Sequence, residues 1–339
     1  MNLFSAKSIV VLICSIFTIN QTGFSQPVTI ADTTKPDKHI TILNNKIFLN
    51  FPAAAVVSPR VADIMAADPN ENKETRIILE NGKMRMVFMA QELFALSGKT
   101  LFYDIAKEVE PDFDFTRKIL SDNDSLLAIL STPTLFDSTA SAILVNSLLI
   151  KSPDNTVSRI DVYINPDAFS LKSEYARLSE NIFKTISKGS RRINLDAKEE
   201  SYKIFGTNSK FLFKLPKNYF VSVDEKYDFG VFKLNKFKNL LTDTTYTSIT
   251  IYAGRHPSYF HKEYGYTEDK AVKAKGQFLQ SPVDWLYFKD DAQNFYLKEQ
   301  FIPSDAIEKG LILHVAILSN KKEVLEELVK IAEGVKIVK

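Results

Sequence analysis

Apolar positions recur along this chain in two rhythms. Residues 295–302 and 311–318 read as two strands, the second of them a nearly continuous apolar run. Residues 321–336 then carry Val324, Leu325, Leu328, Ile331, Ala332 and Val335 at helical spacing. The same order occurs once before. Runs at 143–150 and 158–164 precede Leu171, Tyr175, Leu178, Ile182 and Ile186, which are spaced 4, 3, 4 and 4 apart. A helix with one apolar stripe covers something flat, so each helix is expected to lie on the sheet made by its preceding strands. Ser170 stands at the expected N-cap of the first helix, and Asn320, with Glu323 for a capping box, at that of the second.

Further matches lie upstream of each unit. Ile47, Leu49 and Phe51 alternate up to Pro52, as Phe211, Phe213 and Leu215 do up to Pro216. Asn81-Gly82, between apolar runs at 75–80 and 83–90, predicts a hairpin, because both central residues of a type I′ turn need positive φ. A short helix is expected over 101–109, and a hairpin from 285–288 and 295–302 across 290–293. Residues 311–318 are apolar apart from His314, as in a strand buried on both faces. A charged stretch with Arg191-Arg192 is the expected boundary. The pattern thus predicts a first α/β domain at 45–188, a linker at 189–209 and a second domain at 210–339, built as a tandem pair.

The runs at 211–216, 247–253, 285–302 and 311–318, with the helix that ends at Val335, resemble the PsbP-like α/β sandwich. That is the fold of the oxygen-evolving-complex extrinsic protein. The resemblance implies an α+β class: two tandem antiparallel-sheet domains, each with a C-terminal helix packed on its sheet. It also implies protein binding rather than catalysis, an expectation that rests on fold alone.

Composition narrows the choices further. A length of 339 residues with 45% hydrophobic content suits about two globular domains. A net charge of +2 gives no strong field, which argues against a nucleic-acid partner. Lys7, the apolar run 9–19, and Gly23 and Ser25 before residue 26 form the pattern of a cleaved export signal at 1–25, followed by a leader at 26–44. The Phe-Ser-Gln ending resembles export signals of Bacteroidetes-type bacteria. The apolar run is too short for a stable membrane span, which needs about 20 residues. The expected location is the periplasm, the cell surface or the medium. Cys14, the only cysteine, lies inside the signal, so disulfides, thiol nucleophiles and cysteine-held metals are not expected in the mature chain.

The chemistry-bearing residues form no catalytic pattern. Adjacent carboxylates such as Asp290-Asp291 do not converge from different elements as acid–base work requires. No Gly-x-Ser-x-Gly elbow or phosphate loop is present. No cofactor, metal site or catalytic residue is therefore expected. His314 is expected as a hydrogen-bonded core residue. The densest segment is 254–264, with Arg255, His256, Tyr259, His261 and Tyr264, residue types that dominate protein interfaces. Lys233 and Lys236 belong to a lysine-bearing strand expected at a solvated sheet edge or on a mildly basic docking surface. These residues are the candidate protein contacts of an exported, non-enzymatic binding protein. The alternatives are a secreted hydrolase using the same segment and a chaperone or immunity-type partner of a secreted effector.

Overall fold

The computed structural model describes residues 36–43, 45–57, 75–81, 84–108, 114–226, 228–239 and 241–339. The proposed export signal, Cys14 and the turn residues 82–83 lie outside these. The chain divides into two compact units, Met1–Ile193 and Asn194–Lys339.

The first unit runs β1 (Lys38–Ile42), β2 (Ile47–Phe51), β3 (Ala55–Val57), β4 (Thr75–Asn81), β5 (Met84–Leu96), α1 (Lys99–Glu108), β6 (Phe115–Asn123), β7 (Leu126–Pro133), β8 (Ile143–Lys151) and β9 (Thr156–Ile164). A short 3-10 helix (Pro166–Leu171), α2 (Lys172–Phe183) and β10 (Ser187–Lys188) complete it. Seven strands form one antiparallel sheet in the order β3-β4-β5-β9-β8-β7-β6, and β1-β2-β10 form a small second sheet. The two sheets share one core. Ile42, Ile47, Leu49 and Phe51 of the small sheet and Tyr175, Leu178, Ile182 and Phe183 of α2 meet Phe88, Leu130, Leu148, Ile160 and Val162 of the large one. Phe51 and Phe88 meet edge to face, with ring centroids 4.9 Å apart. A buried Lys46 ties the layers together through its ammonium, 2.5 Å from Glu92 Oε2 and 3.0 Å from Ser158 Oγ. Burial raises the Glu92 carboxyl, and the Lys46 charge opposes that shift.

The second unit runs β11 (Lys198–Lys203), β12 (Lys210–Leu215), β13 (Tyr219–Lys226), β14 (Phe229–Lys236), β15 (Thr247–Gly254), α3 (Phe260–Glu263), β16 (Val272–Phe278), β17 (Ser281–Asp290), β18 (Phe295–Pro303), β19 (Ile312–Ser319), α4 (Lys322–Glu333) and β20 (Lys336–Val338). Its large sheet has the order β13-β14-β15-β19-β18-β17-β16, strand for strand that of the first unit, with β11-β12-β20 as the small sheet. Phe211, Phe213, Leu325, Leu328 and Ala332 close one face of the large sheet over Phe232, Ile249, Trp285, Val315 and Ile317.

The order of strands imposes a crossing. Two meanders start from opposite edges and meet at β15 and β19, so the chain leaving β15 must traverse the sheet to begin β16 at the far edge. Residues 255–271 make that passage across the face not covered by α4. There Tyr259, Phe260, Tyr266 and Ala271 pack on Leu286, Phe288, Leu297, Ala316 and Leu318. This explains why β19 is buried along nearly its whole length. In the first unit the same step, from β5 to β6, carries α1 with Phe102 and Ile105 buried.

The expected α+β class is overturned. Strand makes up 51% of the described residues and helix 17%, and each unit is closer to a β sandwich. The extra strands are those with the weakest pattern. β6 is an edge strand exposed on both faces and shows no apolar alternation, and β16 alternates only through the small residues Ala274 and Gly276 between Val272 and Phe278. β1 falls in the expected leader and β11 in the expected linker, where each pairs into a small sheet. Neither helix is capped as expected. The residue before α4 is Lys321, which makes no side-chain cap, and the one before α2 is Leu171. Asn320 instead accepts from Tyr246 N–H and donates to Thr244 carbonyl, at 2.7 and 3.0 Å, pinning the loop before β15. Among the described residues, no helix is long and apolar enough to cross a membrane.

The first unit closes through backbone hydrogen bonds and the Arg191 side chain, which donates to Leu43 carbonyl at 3.2 Å. Gly189 N–H donates to Lys46 carbonyl at 2.8 Å, and Arg191 N–H to Asn45 carbonyl at 3.2 Å. A Cβ on Gly189 would stand 1.8 Å from Asn45 oxygen, closer than any side chain can approach. Gly189→Ala is therefore expected to separate β10 from the β1–β2 turn. Urea unfolding should show a loss of about 3 kcal/mol in the first unit, whereas Gly98→Ala, which meets open space, should cost far less.

Candidate functional site

The short helix α3 sits midway along the crossing. It ends in a Schellman motif, with Tyr266 N–H donating to His261 carbonyl at 3.0 Å and Gly265 N–H to Lys262 carbonyl at 3.1 Å. Gly265 supplies the positive φ of +77° that this ending needs. The turn aims His261 down at the sheet.

Below it, Glu299 of β18 and His314 of β19 point up from adjacent strands. The three side chains are buried, at 0%, 2% and 0% exposure for Glu299, His314 and His261. Glu299 Oε1 accepts from His261 N–H at 3.0 Å and from His261 Nδ1 at 2.5 Å. Oε2 accepts from Phe260 N–H at 2.9 Å and from His314 Nε2 at 2.8 Å. An ionised carboxylate only accepts, so His261 carries its proton on Nδ1 and His314 on Nε2. Burial alone would raise the Glu299 carboxyl, but the donors from His314, His261 and Phe260 outweigh it and hold the group below the usual carboxylate range.

Aromatic rings add a second set of contacts. Tyr259 stacks on Phe301 with centroids 3.8 Å apart, His261 on Phe288 at 4.6 Å, and Tyr266 on Phe295 at 4.8 Å. Such pairs contribute about 0.5–1.5 kcal/mol each beyond their burial. His261 Nε2 is buried and has no hydrogen-bond partner among the described residues.

The expected contact residues divide. Arg255, His256 and Tyr264 are exposed. Arg255 lies 3.4 Å from Glu308 across a solvated gap, where an ion pair contributes little. Tyr259 is half-buried. His261, expected at the surface, is a wholly buried anchor, because its backbone and ring both serve Glu299. Lys233 and Lys236 are not on an edge, since β13 pairs outside β14. Lys233 is exposed; Lys236 lies 5.9 Å over the Tyr219 ring and 3.9 Å from Asp243. Glu299 was missed. Its one signal is a carboxylate between Leu297 and Phe301, at a position where the strand's alternation calls for an apolar residue.

Beside the anchored segment is a cleft of about 340 Å³ lined by Gly265, Tyr266, Thr267, Lys270, Phe288, Lys289 and Asp290. Among the described residues no three His, Cys, Asp or Glu side chains are placed to hold a metal ion. In the Glu299 cluster the nitrogens and oxygens close directly on one another. The arrangement is suited to holding a segment in place.

No protein-family model and no curated protein matches the chain. The crystal structure of MucB in complex with MucA(peri) aligns with 87% of this chain and 94% of its own, at 8% identity and a TM-score of 0.17. A likeness at that level carries no argument.

Glu299→Gln replaces one acceptor oxygen by a donor and leaves buried N–H groups facing it, so it is expected to cost about 3–5 kcal/mol in denaturant unfolding. The pH dependence has a fixed sign. A carboxyl held low in the folded state stabilises fully above its unfolded value and loses that contribution as pH falls through the depressed folded value. The gap in stability between wild type and Glu299→Gln should therefore narrow below about pH 4.

Proposed function

We propose that this protein is an exported, non-enzymatic binding module that recognises another protein through segment 254–264. The observation that carries this reading is the anchoring of that segment. Glu299 and three aromatic stacks hold it on the sheet, while Arg255, His256 and Tyr264 are exposed. A surface already fixed in shape loses little conformational freedom on binding, and Arg and Tyr are the types that concentrate binding energy. A hydrolase using the same segment loses its best-placed base, because His261 is sealed from solvent and bonded to Glu299.

The test is affinity capture from the envelope fraction of the native cell. The wild type should retain one dominant partner through moderate salt. The double variant Arg255→Ala with Tyr264→Ala should lose it by about tenfold or more while its circular dichroism and melting temperature stay unchanged. Equal capture by wild type and the folded double variant would contradict the assignment of this surface.

A further inference from the structure

β16 is the far edge strand of the second large sheet, and among the described residues it pairs with β17 alone. Its pairing with β17 is regular from Val272 to Phe278, without a bulge. The equivalent edge of the first unit is built otherwise. β6 has a register shift between Ile119 and Ser121, a device that discourages an added strand. The remaining edge there, β3, has three residues.

The direction of the free backbone groups on β16 follows from one contact. Gln277 N–H donates outward to Glu333 of α4 at 3.3 Å. In an antiparallel ladder, alternate residues share a direction, so the N–H and C=O of Lys273 and Lys275 also point away from β17. Both lysine side chains are exposed; Lys275 lies 2.6 Å from Asp284 in a solvated pair, and no acid lies on β16 itself.

A second, independent observation lies one strand in. Trp285 is fully buried, and its indole N–H has no acceptor among the described residues. It lies against Gly276, where a Cβ would stand 2.4 Å from the indole nitrogen. The hydroxyl of Tyr287, two residues on and on the same face, is likewise buried without a partner. Buried polar groups left unsatisfied are rare and call for a cause. At Gly276 the indole nitrogen fills the place of the missing side chain, with Glu333 Oε1 beside it, so Trp285 lies directly beneath the edge strand.

We propose that β16 takes up an extended acidic segment of a partner protein as an added strand of this sheet. Its backbone pairs with Lys273 and Lys275, its carboxylates face those two lysines, and it ends before Gln277, whose N–H is held by Glu333. This rests on the binding-module reading but uses a surface separate from segment 254–264, so the two fail separately.

Trp285 is the only tryptophan of the chain, so its fluorescence reports this site alone. The probes are a synthetic peptide of alternating glutamate and threonine and its lysine–threonine counterpart. The acidic peptide should shift Trp285 emission saturably, and the basic one should not. Lys275→Pro removes an outward N–H while sparing the ladder to β17, and should weaken the response about tenfold. Lys273→Glu with Lys275→Glu should transfer the response to the basic peptide, which keeps the test decisive should the proline variant unfold. The Arg255→Ala, Tyr264→Ala variant should respond as wild type does. No emission change with the acidic peptide, or an equal change in Lys275→Pro, would overturn the proposal. So would sedimentation of the free protein as a dimer that Lys275→Pro abolishes, which would assign the edge to a second copy through the Asp224 and Glu225 end of its β13.

Discussion

One buried carboxylate sets what the exposed part of the second unit can do. Glu299 lies in the middle of a sheet, out of contact with water, where an unpaired charge would cost several kcal/mol. Four donors offset that cost, and three of them, from Phe260 and His261, come from the segment that crosses the sheet. The fourth, from His314, belongs to the neighbouring strand. The carboxylate is therefore tolerated only while the segment is in place. The segment, in turn, gains a fixed point that a loop of its length would otherwise lack.

The need for such a fixed point follows from topology. Two meanders that start at opposite edges require one long passage over the sheet, and both units have it. In the first unit it carries α1, with an apolar face to bury. In the second it carries a four-residue helix, too short to hold itself by backbone hydrogen bonds. Polar anchoring and ring stacking take over that task. The first unit uses the same device elsewhere, where buried Lys46 meets Glu92 and Ser158 between its two layers.

Much of the large sheets was legible in the sequence. Central strands such as β8, β9 and β19 are buried on both faces and announce themselves as apolar runs, and α2 and α4 do so by their stripes. The edges were not legible, because β6 faces water on both sides without alternation and β16 alternates only through Ala274 and Gly276, too small to mark a buried face. With those strands unseen, the helices counted for too much and the class came out as α+β. The anchor was half visible. His314 stood out as one polar residue in an apolar strand, but its partner on the adjacent strand is set by register, which periodicity does not give. His261 was misplaced at the surface for the same reason, since its burial depends on Glu299, 38 residues later.

The account turns on whether Glu299 holds the crossing segment down, and hydrogen exchange at the Phe260 and His261 amides measures that directly. In the wild type both amides should exchange as slowly as the core of β19. In Glu299→Gln they should exchange at least about a hundredfold faster, while β19 and β15 amides change by no more than the global loss of stability requires. Unchanged protection at Phe260 and His261 in a folded Glu299→Gln protein would contradict the account.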